Sequence, residues 1–402
     1  MPHDNQNFKS HLTNIIFIII FFLVLIFPSL FRNRIPNKKA MYENRFLSTF
    51  PAVVDEEGKF NNSFFIDFDK WTMDNLWLRD KMIHIYNQFK YDVFNVIAKS
   101  NNFVLGKNKS VYYIGQQALK NYIGEKYVSD EVLNTNVDFI KRFDEMCKNI
   151  GVDFYYIQLL DKESVMTESF PKSVNKISDT NQIDVFVDKI KNETDVDVYY
   201  PKEFLRDQKY FYQVFPRNGD VTHWSERGAY ITYVDFMKHI SKKENYNYKI
   251  LMENDFDIKK ITPEASLYGG IKDSDEIETF YLKKTNAQKY DYILNENEKV
   301  DNFFRVRYEN DTLPHGKNLL IIGDSYINFY WLWYMPESFK NIVYITFNDF
   351  DKLTSVIKQY NIDTIIWEQT GRQFHFYGED YGNLAWYLDY VETDVNLNAH
   401  KG

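Results

Sequence analysis

The chain has 402 residues, and its content of 44% hydrophobic and 18% aromatic residues allows a full core, which excludes a disordered protein. A net charge of -9, without any long run of Lys and Arg, argues against a nucleic-acid partner. Cys147 is the single cysteine, so an intrachain disulfide and a metal cage of several thiolates are excluded. We therefore expect one catalytic domain with appendages.

The first predicted element is an apolar run near the N-terminus. It is uninterrupted from Ile15 to Phe27 and resumes at Leu30, which brings it near the roughly 17 residues that a spanning helix needs. Because residues 27–31 offer no small-x-small cleavage site, the run predicts a transmembrane anchor within a segment 1–34, in preference to a removed signal peptide. Most flanking positive charge follows the run, at Arg32, Arg34, Lys38 and Lys39, and favours a cytoplasmic C-terminal part.

A connector and N-terminal extension are predicted over residues 35–130, with a hairpin from Asn102 to Ile114. From 131 to 402, short apolar runs alternate with helical patterns, which is typical of βα units around a central parallel sheet. The polar and aromatic stretch at about 243–317 is predicted to be a β-rich insertion. The predicted strands are Val152 to Leu160, Val196 to Tyr200, Asn318 to Ile322, Ile342 to Phe347 and Thr364 to Trp367, and the predicted helices are Val137 to Ile150, Gln182 to Lys191, Glu226 to Ile240 and Asp351 to Tyr360.

A serine follows one of these buried strands directly. The apolar run that ends at Ile322 leads into Gly323, Asp324 and Ser325, which places the serine at the edge where open α/β sheets bind ligands. The glycine permits a tight turn, and backbone N–H groups at the start of a following helix can stabilise an oxyanion. A Gly-Asp-Ser tripeptide is also a common turn and helix cap, so the serine needs partners before it predicts catalysis.

Asp220 and His223 supply the partners that a serine nucleophile requires. A hydroxyl needs an imidazole base, and the imidazole needs a carboxylate that fixes its tautomer. His223 beside Trp224 can also be a structural histidine, but together the two motifs favour catalysis by Ser325, His223 and Asp220.

Both motifs resemble those of the SGNH-like polysaccharide O-acetyltransferases, the alginate O-acetylation or DHHW family. The resemblance covers Thr222 to Gly228 and Ile321 to Tyr326, with weaker similarity in Glu43 to Arg45, in the hairpin and in Ile366 to Arg372. The order Asp, His, Ser also matches this family. The family usually carries its acid two positions before the histidine, where this chain has Val221, and Asp220 lies three positions before it.

The resemblance implies an SGNH-hydrolase-like three-layer sandwich, a membrane-anchored extracytoplasmic catalytic domain and acetyl transfer to a cell-surface or exported polysaccharide through an acyl-serine. It also implies a multi-pass membrane acyltransferase that supplies the acetyl group, and no cofactor. A carbohydrate acetyl esterase would use the same residues. An inactive glycan-binding scaffold would be indicated by an Asp220 turned away from His223. The positive charges that follow the apolar run favour a cytoplasmic domain, so an enzyme that acts on an intracellular metabolite is a further alternative.

Three further residues are candidates for binding substrate. Tyr326 and Trp224 neighbour the serine and the histidine, and Arg372 offers a guanidinium that can clamp a carboxylate. A structural ion pair of Arg372 with Glu368 is the preferred alternative for that arginine. The histidines are scattered without the short spacings of a metal site, and phosphate-loop and dinucleotide motifs are missing, so no metal is expected.

Overall fold

The structure is a computed structural model that describes residues 14–23, 38, 40, 45–55, 57–97, 102–262, 271–273, 275–291 and 305–373. The chain forms two compact units. The first contains residues 1–99 and 265–273, and the second contains residues 100–264 and 274–402.

The first unit contains helices in its described part. Its helices are α1 (14–23), α2 (Phe64–Asp74) and α3 (Arg79–Phe94). The Asp74 carboxylate ends α2 and accepts hydrogen bonds from both terminal nitrogens of Arg45, at 2.8 and 2.7 Å. Glu43 and Asn44, which precede this arginine in the similar segment, lie outside the described residues.

The predicted transmembrane helix is wrong. Among the helices in the described ranges, none is long and apolar enough to cross a membrane. The described helical residues 14–23 include positions 15–23 of the apolar run. The continuation of the run from 24 to 31 lies outside the described residues.

The second unit alternates strands and helices. Its strands are β1 (Phe103–Leu105), β2 (Val111–Tyr113), β3 (Asp153–Leu159), β4 (Asp197–Tyr199), β5 (Phe256–Ile261), β6 (Ile277–Leu282), β7 (Gln288–Asp291), β8 (Val306–Glu309), β9 (Asn318–Ile322), β10 (Asn341–Ile345) and β11 (Thr364–Thr370). Its helices are α4 (Ala118–Ile123), α5 (Asp130–Asn149), α6 (Lys162–Val165), α7 (Gln182–Glu193), α8 (Lys202–Gln208), α9 (Glu226–Lys243), α10 (Ser325–Asn328), α11 (Trp331–Tyr334) and α12 (Leu353–Tyr360). Every strand and helix predicted from the α/β alternation is present, and so is the β1–β2 hairpin.

The central sheet has seven strands in the order β4-β3-β11-β9-β10-β8-β7. The strands from β4 to β10 pair in parallel, whereas β8 pairs antiparallel with both β10 and β7. The prediction of a purely parallel central sheet is therefore wrong, and the sheet is mixed. The two antiparallel strands come from the stretch predicted as an insertion, whose other two strands, β5 and β6, form a separate hairpin.

Helices cover both faces of the sheet, because side chains alternate along each buried strand. In β9, Leu320 and Ile322 join the core beneath α5, α7 and α12, whereas Leu319 and Ile321 join the core beneath α9 and α11. Both cores are fully closed at β9, where these side chains have 0% exposure. A residue that follows β9 is therefore held at the centre of a rigid three-layer structure.

Candidate active site

Ser325 lies at the carboxyl end of the central strand of the sheet. Strand β9 is flanked by β10 on one side and β11 on the other, and it ends at Ile322. Gly323 and Asp324 form the turn, and Ser325 is the first residue of α10. This is the sheet edge that the sequence predicted for the serine.

The turn is clamped to both neighbouring strands. Asp324 donates its backbone N–H to Glu368 Oε2 of β11 at 3.0 Å. The Asp324 side chain caps α10 by accepting from the backbone of Tyr326 at 2.8 Å, and its other oxygen accepts from the backbone of Thr370 at 3.0 Å. From β10, the Tyr344 hydroxyl donates to the carbonyl of Asp324 at 2.9 Å. These bonds fix the backbone that carries the serine.

Gly323 is required by this close packing. A Cβ at this position would lie 2.7 Å from Glu368 Oε2, the same oxygen that accepts from the next residue in the turn. Any side chain would therefore displace the carboxyl that holds the turn. This contact explains why the first residue of the Gly-Asp-Ser motif is a glycine.

His223 and Asp220 lie on the loop that leads into α9. Ser225 caps that helix by accepting from the backbone of Gly228 at 2.9 Å, and its own backbone donates to the carbonyl of Val214 at 3.0 Å. A Cβ on Gly228 would lie 2.2 Å from the same Val214 oxygen, so this glycine permits the loop to approach the helix. The start of α9 thus pins the histidine loop over the end of β9.

The three predicted catalytic side chains form one continuous chain of hydrogen bonds. His223 Nε2 is 2.9 Å from Ser325 Oγ, and His223 Nδ1 is 2.8 Å from Asp220 Oδ2. The histidine and the serine are 102 positions apart in the sequence, so the fold brings them together. The geometry is that of a base within reach of a nucleophile and oriented by a carboxylate.

Asp220 is held in an ionised and oriented state by its neighbours. Its second oxygen accepts from the backbone of Thr222 at 3.1 Å and from the Thr222 hydroxyl at 2.6 Å. Burial on its own would raise the pKa of Asp220, but the hydrogen bonds and positive charge of His223 and the bonds from Thr222 lower the pKa below its usual value. A carboxylate in this state stabilises a charged imidazole.

Aromatic rings enclose the histidine. The ring of Phe329 lies 4.5 Å from the His223 ring, and that of Tyr326 lies 5.3 Å away. The residue after Phe329 is strained: Tyr330 has φ 78° and ψ -56°, and the N–H of Trp331 bonds back to the Phe329 carbonyl at 3.1 Å. This is a γ-turn of the uncommon positive-φ kind, of the sort found where structure is held for function.

The backbone N–H of Ser325 is free to act on a ligand. It makes no hydrogen bond within the described part of the chain, whereas the N–H groups of Asp324 and Tyr326 on either side are both used. It is therefore the available oxyanion donor in the α10 turn. Within the described ranges, no three His, Cys, Asp or Glu side chains are grouped to hold a metal ion.

The residues predicted to bind substrate all lie in the interior. Tyr326 is 1% exposed and Trp224 is 2% exposed, and the Trp224 ring packs 5.4 Å from Tyr326. Arg372 is 6% exposed and its partner is Asp161, whose other oxygen accepts from the Arg372 backbone at 2.8 Å. The expected ion pair of Arg372 with Glu368 is wrong. Substrate binding by these three residues stays a prediction.

Sequence reasoning did not find the residues that support the serine turn. The sequence predicts Glu368 only as a possible partner of Arg372, and it assigns no role to Thr370, Tyr344 and Asp161. Two signals indicate this region: Glu368 directly follows the predicted strand that ends at Trp367, and Asp161 directly follows the predicted strand that ends at Leu160. Both residues are at most 4% exposed, which is unusual for carboxyl groups and indicates a buried role.

The charge state of the Glu368 carboxyl can be tested by substitution. Burial, followed by the negative charge of Asp324, raises the pKa of Glu368 well above its ordinary value, so its surroundings favour the neutral carboxyl. Glu368→Gln is therefore expected to leave the free energy of unfolding nearly unchanged. Glu368→Ala removes the acceptor of the Asp324 N–H and is expected to lower this free energy by about 1 to 3 kcal/mol, measured by urea unfolding.

Glu337 is the matched control for this comparison. It is also 1% exposed, but hydrogen bonds from the backbones of Ala287 and Asn286 outweigh the effect of burial and lower its pKa. Glu337→Gln should therefore destabilise the protein where Glu368→Gln does not. Equal destabilisation by both glutamines would show that Glu368 is ionised.

Comparison with known proteins identifies neighbours by structure alone. No family model and no curated protein matches the sequence. The similar solved structures include a DHHW family protein from Eubacterium siraeum, with 14% identity, a TM-score of 0.49 and coverage of 72% of this chain and 96% of that one. PatB1 from Bacillus cereus is similar with 14% identity, a TM-score of 0.48 and coverage of 61% and 92%.

The O-acetyltransferase domain of AlgJ from Pseudomonas putida is similar as well, with 13% identity, a TM-score of 0.48 and coverage of 73% of this chain and 99% of that one. One of these neighbours is thus a protein of the DHHW group, the group that the two motifs resemble.

Proposed function

We propose that this protein is a serine O-acyltransferase that moves acetyl groups to hydroxyls of a polysaccharide through an acyl-Ser325 intermediate. The observation that carries the proposal is the hydrogen-bonded chain from Asp220 through His223 to Ser325, at 2.8 and 2.9 Å. An inactive scaffold predicts an Asp220 turned away from the histidine, and the 2.8 Å bond disfavours that alternative.

The first half of the reaction acylates the serine. His223 Nε2 takes the proton of Ser325 Oγ while Oγ attacks the carbonyl carbon of the donor acetyl ester. The charge that develops on the carbonyl oxygen is stabilised by the Ser325 N–H, and the imidazolium is stabilised by Asp220. The bond to the donor oxygen then breaks, and that oxygen leaves with the proton from His223.

The second half transfers the acetyl group. A sugar hydroxyl gives its proton to His223 Nε2 and attacks the acetyl carbonyl of Ser325. The intermediate collapses, the serine oxygen regains the proton from His223, and the product is an acetylated sugar. Water in place of the sugar hydroxyl gives acetate and makes the same site an esterase. The rings of Phe329 and Tyr326 around the histidine favour transfer, because they limit the access of water.

The identity of the transferred group and of the acceptor comes from the motif resemblance. The segments Thr222 to Gly228 and Ile321 to Tyr326 resemble those of polysaccharide O-acetyltransferases. As part of the same proposal, the domain acts outside the cytoplasm on an exported or cell-surface glycan, and a multi-pass membrane acyltransferase supplies the acetyl group. Labelling of a cysteine introduced at exposed Lys238 in intact cells tests the location, since an intracellular domain would be protected from an impermeant reagent.

Trapping of the intermediate tests the mechanism. The full chain is incubated with a chromogenic acetyl ester, quenched in acid and digested, and peptides are examined by mass spectrometry. An acetyl group on the Ser325 peptide is the expected result. Its absence under conditions of continued ester turnover would reject the acyl-serine mechanism.

A further inference from the structure

A groove of about 410 Å³ lies on the outer side of α9, away from the core of the sheet. Helix α8 forms one wall with Phe204 and Gln208, and the segment before β5 forms the other with Met252 to Asn254. The floor follows α9 from Tyr230 to Lys238, a length of roughly 12 Å at the helical rise. The groove is thus elongated and open along one side.

The lining combines aromatic surface with polar groups. Phe204, Tyr212 and Tyr230 supply rings, and Gln208, Asp235 and Asn254 supply amide and carboxyl groups. Such a mixture fits a ligand that has flat apolar faces and many hydroxyls, and sugar rings have both.

The Tyr212 ring is held in place for a ligand. The Arg227 guanidinium lies 5.2 Å from its centre, and the ring is still 39% exposed. Arg227 is itself fixed, because it pairs with Glu278 at 2.6 Å and also with Glu253. A ring that is fixed before a ligand arrives loses little conformational entropy on binding.

The charged side chains of the groove differ in their partners. Asp235 accepts from the Tyr199 hydroxyl at 2.8 Å, and Glu253 shares the charge of Arg227 with Glu278. Lys238 has no ion-pair partner in the part of the chain that the structure describes. Lys238, at one end of the groove, can therefore bind an acidic group of a sugar chain, and it does not exclude a neutral chain.

The groove is coupled to the candidate active site through α9. This helix begins three positions after His223, and Arg227 in its first turn contacts the Tyr212 ring. Val214, two positions after that tyrosine, accepts from the backbone of Ser225 at 3.0 Å. One rigid helix therefore carries the groove floor and positions the histidine loop.

We propose that this groove is a carbohydrate-binding subsite that holds part of a polysaccharide chain while another part is modified at Ser325. The role in modification rests on the proposed function, whereas sugar binding by the groove does not. Tyr212 is a ligand-contacting ring, and Lys238 contacts acidic groups of the chain.

Binding is measured on the full chain carrying Ser325→Ala, so that no turnover occurs. The probes are hexasaccharides of β-1,4-linked glucose, of N-acetylglucosamine and of galacturonate, titrated by calorimetry. At least one probe is expected to bind, and Tyr212→Ala is expected to weaken that binding about tenfold. Lys238→Ala, at an exposed position with no partner to lose, is expected to weaken binding of an acidic probe.

Tyr290→Ala is the matched control. Tyr290 is 38% exposed and stacks with Arg307 at 4.4 Å, so it resembles Tyr212 in exposure and in its arginine contact, but it lies on β7 outside the groove. It should leave the affinity unchanged. Equal effects of the Tyr212 and Tyr290 variants, or no binding of any probe, would overturn the subsite.

Failure of this inference is distinguishable from failure of the proposed function. Turnover of a small acetyl ester by the wild type reports the chemistry at Ser325, whereas binding of oligosaccharides to Ser325→Ala reports the groove, so the two are measured separately. Acyl-Ser325 formation without sugar binding would reject the subsite and keep the chemistry. Binding that depends on Tyr212, without any acyl-serine, would keep the subsite and reject the chemistry.

Discussion

Ser325→Ala is expected to lower the turnover of an acetyl ester by on the order of 10⁶-fold, because the acyl-enzyme route loses its nucleophile. His223 would remain beside the alanine, but a base without the hydroxyl cannot form the covalent intermediate. Alanine is smaller than serine, and the turn is held by Asp324, Glu368 and Tyr344, so the fold should not change.

The measurement uses the full chain and a chromogenic acetyl ester, with and without an oligosaccharide acceptor. Ser338→Ala is the control, since Ser338 is a buried serine that bonds to the Tyr233 hydroxyl at 3.1 Å and has no place in the site. Acetylated oligosaccharide from the wild type would identify a transferase, and acetate alone would identify an esterase. Ester turnover that is equal in wild type and Ser325→Ala would rule out Ser325 as nucleophile.

The position of the serine could be predicted because local signals agree. A compact apolar run identifies a strand buried on both faces, and Gly323 and Asp324 mark its end, so Ser325 had to lie at the carboxyl edge of the sheet. The pairing with His223 needed more than local sequence, since 102 positions separate the two residues. Only the chemical requirement for a base, and the motif resemblance, connected them.

The supporting contacts could not be predicted, because they join distant segments through buried charge. Arg372 and Asp161 are 211 positions apart, and the nearby Glu368 offered a helix-like spacing that β11 does not have. The mixed sheet was missed for a related reason. Strand β8 has only one buried residue, Val306, and its polar alternation does not distinguish an antiparallel strand that extends the sheet from an independent hairpin.

The transmembrane prediction was wrong for a different reason. Hydropathy measures the composition of a run, and a spanning helix of roughly 20 residues is longer than the part of the run that the structure describes. The described helix α1 accounts for residues 14–23 only. The sequence does not decide on which side of the membrane the domain lies, because the flanking charges favour the cytoplasm and the motif resemblance implies the outside. The labelling experiment in intact cells measures this location.

Asp220→Asn is expected to lower kcat by about 10⁴-fold while leaving the fold intact. The side chain keeps its shape, but the Asn amide can donate to His223 Nδ1, which favours the tautomer with its proton on Nε2. That nitrogen then faces Ser325 Oγ as a donor and cannot accept its proton. The loss of the negative charge also leaves the imidazolium of the transition state unsupported. Steady-state assays of ester turnover give kcat and KM separately, so a loss of kcat is distinguished from a loss of binding.

Asp197→Asn is a control with the same chemistry outside the site, because Asp197 bonds to His239 Nε2 at 2.7 Å. Burial opposes the effect in both cases, but hydrogen bonds to histidine lower the pKa of Asp197 as they lower that of Asp220. Each carboxylate therefore stabilises the fold above pH about 4, and this contribution is lost as the pH falls through the lowered pKa. Both variants should lose this pH-dependent contribution to stability, whereas only Asp220→Asn should lose kcat. If Asp197→Asn lost as much kcat, or Asp220→Asn lost none, Asp220 would not be the acid that orients His223.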